Sequence, residues 1–260
     1  MNKKYFLPTH LYSSFSSFII MVLDIIDTLY LVTLIFAFLT VVFGVLSINI
    51  LFKNKLKELF SDKKFFIYFS LIVGYALFAL GELTWYLIIQ VFEETPSAGM
   101  PDFYWITGAL FMLLSFAALS NSLHQAYGEN RKFYPLLIAS ALLILGIVIY
   151  VSATISSEVS GANRFLSYFY PLSTALILIF SANPLLYFKR LDSFEVHLVY
   201  LFFANLGFLG GDLLFSYESS SLALSFLSNI LYIFAYGLSA FTFFTLLMKF
   251  HHHSSERSLR

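Results

Sequence analysis

The chain has 260 residues, 59% of them hydrophobic and only 12% charged, and its 15 basic and 15 acidic side chains cancel at neutral pH. Soluble domains carry about 25% charged residues, so this composition excludes an ordinary soluble domain, and the zero balance offers no basic footprint for nucleic acid or other acidic polymers. With no cysteine, disulfides, thiolate chemistry and Cys-based metal sites are excluded as well.

Seven apolar runs are each long enough to cross a ~30 Å hydrocarbon core, which takes about 20 helical residues. The pattern predicts an all-α, polytopic membrane protein. Residues 1–27 read as an N-terminal interfacial segment: Lys3 and Lys4 precede Pro8, His10 and four serines, and the apolar core from Phe18 to Leu23 is short. A short extra spanning helix is the alternative. The seven-helix domain is expected over residues 28–250. Helix 1 runs from Thr28 to Phe52, and a basic loop leads to helix 2, Phe65 to Phe92, which carries Glu82. After an acidic loop with Pro96 and Pro101 come helix 3, Asp102 to Leu123, and helix 4, Phe133 to Ile155. Helix 5, Phe165 to Phe188, has Pro171 and Pro184 inside it. Helix 6, Phe194 to Tyr217, carries His197, Asn205 and Asp212, and helix 7 runs from Leu222 to Met248. Residues 251–260 form a tail that begins with three histidines. Three consecutive residues do not share a helix face, so a solvated tail is a better reading than a metal site.

Orientation follows from the lysines and arginines. Twelve of the 15 fall on the side of the loops after helices 1, 3 and 5 and of the tail, and three (Lys3, Lys4 and Arg164) on the other. The positive-inside rule then places the N-terminus outside and the C-terminus in the cytoplasm, as expected for a multi-pass plasma-membrane protein.

Two stretches echo each other. With Glu82 laid on Asp212, Gly81 meets Gly211, Phe78 meets Phe208, Leu83 meets Leu213 and Tyr75 meets Asn205. In the helices that follow, Asp102 and Trp105 match Asn229 and Tyr232, again three residues apart. Helices 1–3 and 5–7 thus read as two copies in the same orientation joined by helix 4, a 3+1+3 parallel repeat.

A carboxylate at the bilayer centre costs about 2.5–3.5 kcal/mol on insertion scales and normally faces the bundle interior. Seven residues before Glu82 is Tyr75, and seven before Asp212 is Asn205, two turns away on the same face. Trp85 lies three beyond Glu82. The start of helix 3 adds Trp105, and Tyr232 and Tyr236 share a face of helix 7 with Asn229. These residues predict a polar-aromatic ligand cavity in the extracellular half, lined by Glu82, Asp212, Tyr75, Trp85, Trp105, Asn205, Tyr232 and Tyr236. The competing reading is that both carboxyls only join neighbouring helices and the rings belong to the interfacial belt. Gly207 and Gly211, spaced as Gly-X-X-X-Gly, read as a helix-packing motif. No catalytic spacing, metal-ligand set or phosphate loop is present, so neither cofactor nor metal is implied and the chain does not read as an enzyme.

The run Gly81-Glu82-Leu83-Thr84-Trp85, then Pro96-Ser97 and Asp102-Phe103-Tyr104-Trp105, with its echo from Gly211 to Tyr217 and from Asn229 to Tyr236, resembles the seven-helix membrane sensor modules that precede diguanylate cyclase and histidine kinase output domains in bacteria and archaea. The likeness covers helices 2–3 and 6–7, about half the chain. Asn229 stands where those modules carry a second Asp, and Ala109 where they carry an aromatic. Only 12 residues follow Met248, so the resemblance implies a small-molecule or lipid ligand and signalling through a separate protein. A small-solute transporter and a lipid-modifying hydrolase are the alternatives. The nearly apolar inner halves of helices 2, 6 and 7 weigh against a transport path, and the lack of a nucleophile or metal set beside the carboxyls weighs against a hydrolase.

Overall fold

A computed structural model describes residues 9–51, 62–92, 98–128, 133–155, 161–191, 197–215 and 222–258, and among these the regular structure is all helical. Among the described residues seven helices are long and apolar enough to cross a membrane, as the sequence predicts. They are α1 (Thr9–Leu51), α2 (Lys63–Tyr86), α3 (Met100–Tyr127), α4 (Phe133–Thr154), α5 (Gly161–Ser181), α6 (Leu198–Phe215) and α7 (Leu222–Ser258). The expected Pro96-Ser97 loop and the basic residues from Lys53 to Lys57 lie outside the described residues.

The observed boundaries depart from the expected ones for local reasons. Residues 9–27, read as a separate segment, are helical and enter α1 without a break. α2 begins two residues early because the Asp62 carboxylate caps it, accepting from the backbone N–H groups of Lys64 (3.0 Å) and Phe65 (3.2 Å). α3 also starts two residues early: Pro101 sits in its first turn, and the Gly99 N–H donates to the Asp102 carboxylate at 2.7 Å. α5 keeps Pro171 inside but stops at Ser181, ahead of Pro184. Proline has no N–H for the helix ladder, and the chain passes instead into a short turn, Asn183–Leu186, where the Leu185 N–H bonds Ala182 O at 3.0 Å. α7 continues beyond the expected end at Met248 to Ser258.

Six helices form a closed ring in the order α1, α2, α3, α5, α6, α7 and back to α1, with α4 outside it, packed mainly on α5. α4 accordingly exposes Ile138, Leu142 and Ile149, an apolar surface suited to lipid. Small residues set the closest approaches in the ring. A Cβ on Gly74 would lie 2.5 Å from Met112 Cγ and 3.0 Å from Gly108 O, so α2 and α3 meet nearly backbone to backbone. The Ser115 hydroxyl, buried there, donates to Ile67 O at 2.7 Å. A Cβ on Gly207 would lie 3.2 Å from Ala235 Cβ, so the Gly-X-X-X-Gly motif of α6 is spent on packing against α7. Two hydroxyls clasp α1 to α7: Thr40 donates to Tyr236 O at 3.1 Å and Ser47 to Phe243 O at 3.0 Å. Both pairs advance by seven residues, so α1 and α7 run parallel.

Candidate functional site

At the end of the ring where α2 and α6 finish and α3, α5 and α7 begin, the helices enclose a cavity of about 70 Å³ open to the centres of water-sized molecules. Each carboxylate reaches it from a glycine-aromatic support of the same design. Gly81 lies against the Trp105 indole, and a Cβ added there would meet Trp105 Cδ1 at 2.5 Å. Gly211 lies against the Tyr232 ring, where a Cβ would meet Cε1 at 2.7 Å. Only a residue without a side chain lets the ring of the next helix approach this closely just before the acid. The following residue, Glu82 or Asp212, is then turned toward the ring's centre.

The two acids are held differently. Glu82 Oε1 accepts a 2.9 Å hydrogen bond from the Tyr236 hydroxyl of α7, across the ring from α2. Asp212 is gripped from both sides: Thr174 of α5 donates to one oxygen at 2.5 Å and Tyr232 of α7 to the other at 2.8 Å. Both side chains are half-buried and open into one cavity. All of these donors are neutral hydroxyls, and no Lys, Arg or His is among the described residues that line the space. Aromatic rings make most of the wall. Trp85 contacts Trp105 (5.6 Å between centroids) and Phe215 (5.8 Å), and Trp105 contacts Tyr170 edge-on at 6.1 Å. Phe78 and Phe208 meet edge-on at 5.9 Å, and Phe208 meets Tyr236 at 4.8 Å. Trp85 is placed at the point where α2 loosens into a π-helical turn, Leu87–Val91. Such turns recur at functional sites.

No family model matches the chain, nor does any curated protein or solved structure.

Six of the eight residues expected at the site line the cavity: Glu82, Trp85, Trp105, Asp212, Tyr232 and Tyr236. Tyr75 and Asn205 do not. They share a face with the acids but lie two helical turns, roughly 10 Å, deeper, and Phe78 and Phe208 stand between. Tyr75 is fully buried and meets the Ser239 hydroxyl at 2.9 Å. Since Ser239 donates its own proton to Ala235 O at 2.8 Å, Tyr75 is the donor of that bond. Asn205 is also fully buried, and among the described residues neither amide atom has a hydrogen-bond partner.

The sequence reading passed over α5. Tyr170, Ser173 and Thr174 line the cavity, spaced i, i+3, i+4 on one face around Pro171. That spacing was the available signal. Asp102, which opens α3 on the same side of the bundle, is a structural residue: besides holding Gly99 it accepts a hydrogen bond from Tyr170. Asn229 reaches the cavity while its amide donates to Ser225 O at 2.9 Å. At the opposite end of α6, the His197 ring lies 3.3 Å from Thr245 Oγ1. Burial and the nearby Lys249 hold its imidazole below the usual histidine range.

Proposed function

We propose that this chain is a plasma-membrane sensory module whose cavity opens toward the cell exterior, binds a small ligand and signals through α7 to a separate protein. The observation that carries the reading is the continuity of α7. One unbroken helix holds Asn229, Tyr232 and Tyr236 in the cavity wall and runs to Ser258, past the end of its apolar span at Lys249. From Tyr236 to Ser258 it covers roughly 33 Å at 1.5 Å per residue. Loss or gain of the Tyr236–Glu82 and Tyr232–Asp212 bonds would bias the position of a rod whose far end is clear of the membrane.

The exterior placement of the cavity rests on the lysine and arginine distribution. The 3+1+3 repeat is supported by the ring order, in which α1–α2–α3 and α5–α6–α7 have equivalent neighbours, and by the two glycine-aromatic supports. Transport is the less favoured reading. Below the cavity, Ser47, Ser115 and Ser239 give their protons to backbone carbonyls and so do not line an open polar path.

Two measurements test the proposal. Native mass spectrometry of the purified protein, wild type beside Glu82→Gln, should find a small molecule on the wild type that is lost from the variant; a bare wild type would remove the binding role. The chain has no native cysteine, so spin labels can be placed cleanly at Lys63→Cys and Ser254→Cys. Adding Glu82→Gln with Asp212→Asn should shift the distance distribution between them. An unchanged distribution would make α7 a passive strut, and solute uptake by proteoliposomes would then be the next assay.

A further inference from the structure

We propose that the cavity takes a small organic cation, an alkylammonium or quaternary ammonium group seated against aromatic rings between Glu82 and Asp212. If the cavity binds a ligand at all, as proposed above, its charge and its walls decide which kind.

Two carboxyl groups line one cavity, and among the described lining residues no basic side chain answers them. An anionic ligand would add to that imbalance and a cation would relieve it. The wall gives the second reason. Nine of the sixteen lining residues are aromatic, and their contacts are inclined rather than stacked: 52° for Trp85–Trp105, 85° for Trp105–Tyr170 and 84° for Phe208–Tyr236. An inclined contact, unlike a stack, does not cover both rings face to face, so such a wall keeps ring faces free to meet a ligand. A cation within about 6 Å of such a face is attracted by the ring quadrupole, most strongly where water is excluded.

The same features argue against a metal ion. A hard divalent cation asks for about six to eight oxygen ligands. Here the carboxylates are engaged with tyrosine and threonine hydroxyls, and among the described residues no group of three His, Cys, Asp or Glu comes together. The cavity is small, which favours a compact ammonium head over a bulky ligand. That head could belong to a free amine or to a lipid headgroup, two sources of one chemistry.

The chain's two tryptophans, Trp85 and Trp105, both line the cavity, so its tryptophan emission reports on this site alone. The experiment titrates full-length protein in phosphatidylglycerol nanodiscs with choline, with tetramethylammonium and with the neutral isostere of choline that carries a tert-butyl group in place of the ammonium. The cations should change the emission saturably, and the isostere should bind at least about tenfold more weakly, the difference made by 1.4 kcal/mol. Glu82→Gln and, separately, Asp212→Asn should weaken choline by a similar factor and leave the isostere unaffected. Repeating the titration in phosphatidylcholine nanodiscs separates the sources. A lipid headgroup that occupies the site will suppress the response to free choline, whereas a site for free amines will respond equally in both.

Equal affinity for choline and its isostere would overturn the cation assignment while leaving the cavity a ligand site. That comparison is made on the wild type and does not depend on any variant folding. No emission change with any probe, together with a bound neutral molecule in native mass spectrometry, would also overturn the cation assignment. No emission change and a bare protein would end both readings.

Discussion

The Glu82 and Asp212 halves of the site use the same backbone device and then diverge. In each, a glycine lies under an aromatic ring of the next helix, Gly81 under Trp105 and Gly211 under Tyr232. Beyond that support Glu82 crosses to Tyr236, whereas Asp212 is held by Tyr232 and Thr174 together. The upper rings differ too. Trp105 is braced by Trp85 and Tyr170, while Tyr232 leans on Phe208. A shared scaffold thus holds Glu82 with the Tyr236 hydroxyl and the Trp105 indole, and Asp212 between two hydroxyls, so equivalent substitutions should not have equal effects.

The largest contrast should come from the glycines. Gly81→Ala forces a methyl group into a braced indole and should cost about 2 kcal/mol, within the usual range for overpacking. Gly211→Ala should cost about 1 kcal/mol, because the added methyl carbon would meet the Tyr232 ring at 2.7 Å against 2.5 Å to Trp105 Cδ1. Reversible unfolding in mixed micelles measures both, and the reverse order would break the comparison. Next come the acids. A double-mutant cycle between Glu82→Gln and Tyr236→Phe should give a coupling of about 1–2 kcal/mol, and the cycle between Asp212→Asn and Tyr232→Phe less than about 1 kcal/mol, since Thr174 remains to serve Asp212.

The deeper pair at equivalent positions sharpens the contrast further. Tyr75→Phe should lose about 1 kcal/mol with the bond to Ser239. Asn205→Leu should be neutral or stabilising, because it removes a buried amide that has no partner among the described residues. The smallest effect belongs to His197. Its imidazole is held below the unfolded value near 6.5, so the unfolded chain takes up the proton first. The stability of the neutral form is present above about pH 6.5 and declines as pH falls below that value. His197→Gln should flatten that part of the stability profile, as read by melting temperature against pH.

Much of this was legible in the sequence, for reasons that differ by residue. The seven spans follow from run length alone. Glu82 and Asp212 stand out because acids are rare in apolar runs, and their glycines and following rings could be matched by spacing. Depth was harder to read. The seven-residue interval that puts Tyr75 and Asn205 on the acids' face also carries them below Phe78 and Phe208, and periodicity reports the face without the floor. Thr174 and Tyr170 were missed because their importance lies in what they meet, Asp212 and Asp102, 38 and 68 residues away in the chain. The break ahead of Pro184 was signalled by the proline itself, but tolerance of prolines in membrane helices made the uninterrupted reading equally natural.

The clasp between α1 and α7 bears on how the molecule is made. Its partners are 196 residues apart, so α1 enters the bilayer long before the carbonyls it will meet have been synthesised. Thr40 and Ser47 are equipped for the interval, since each hydroxyl also reaches a carbonyl one turn back, Phe36 O at 2.8 Å and Phe43 O at 2.7 Å. In lipid such an internal partner leaves no bare polar group. The first span can therefore wait as a self-sufficient helix, and the ring closes only when the seventh arrives to share those two protons.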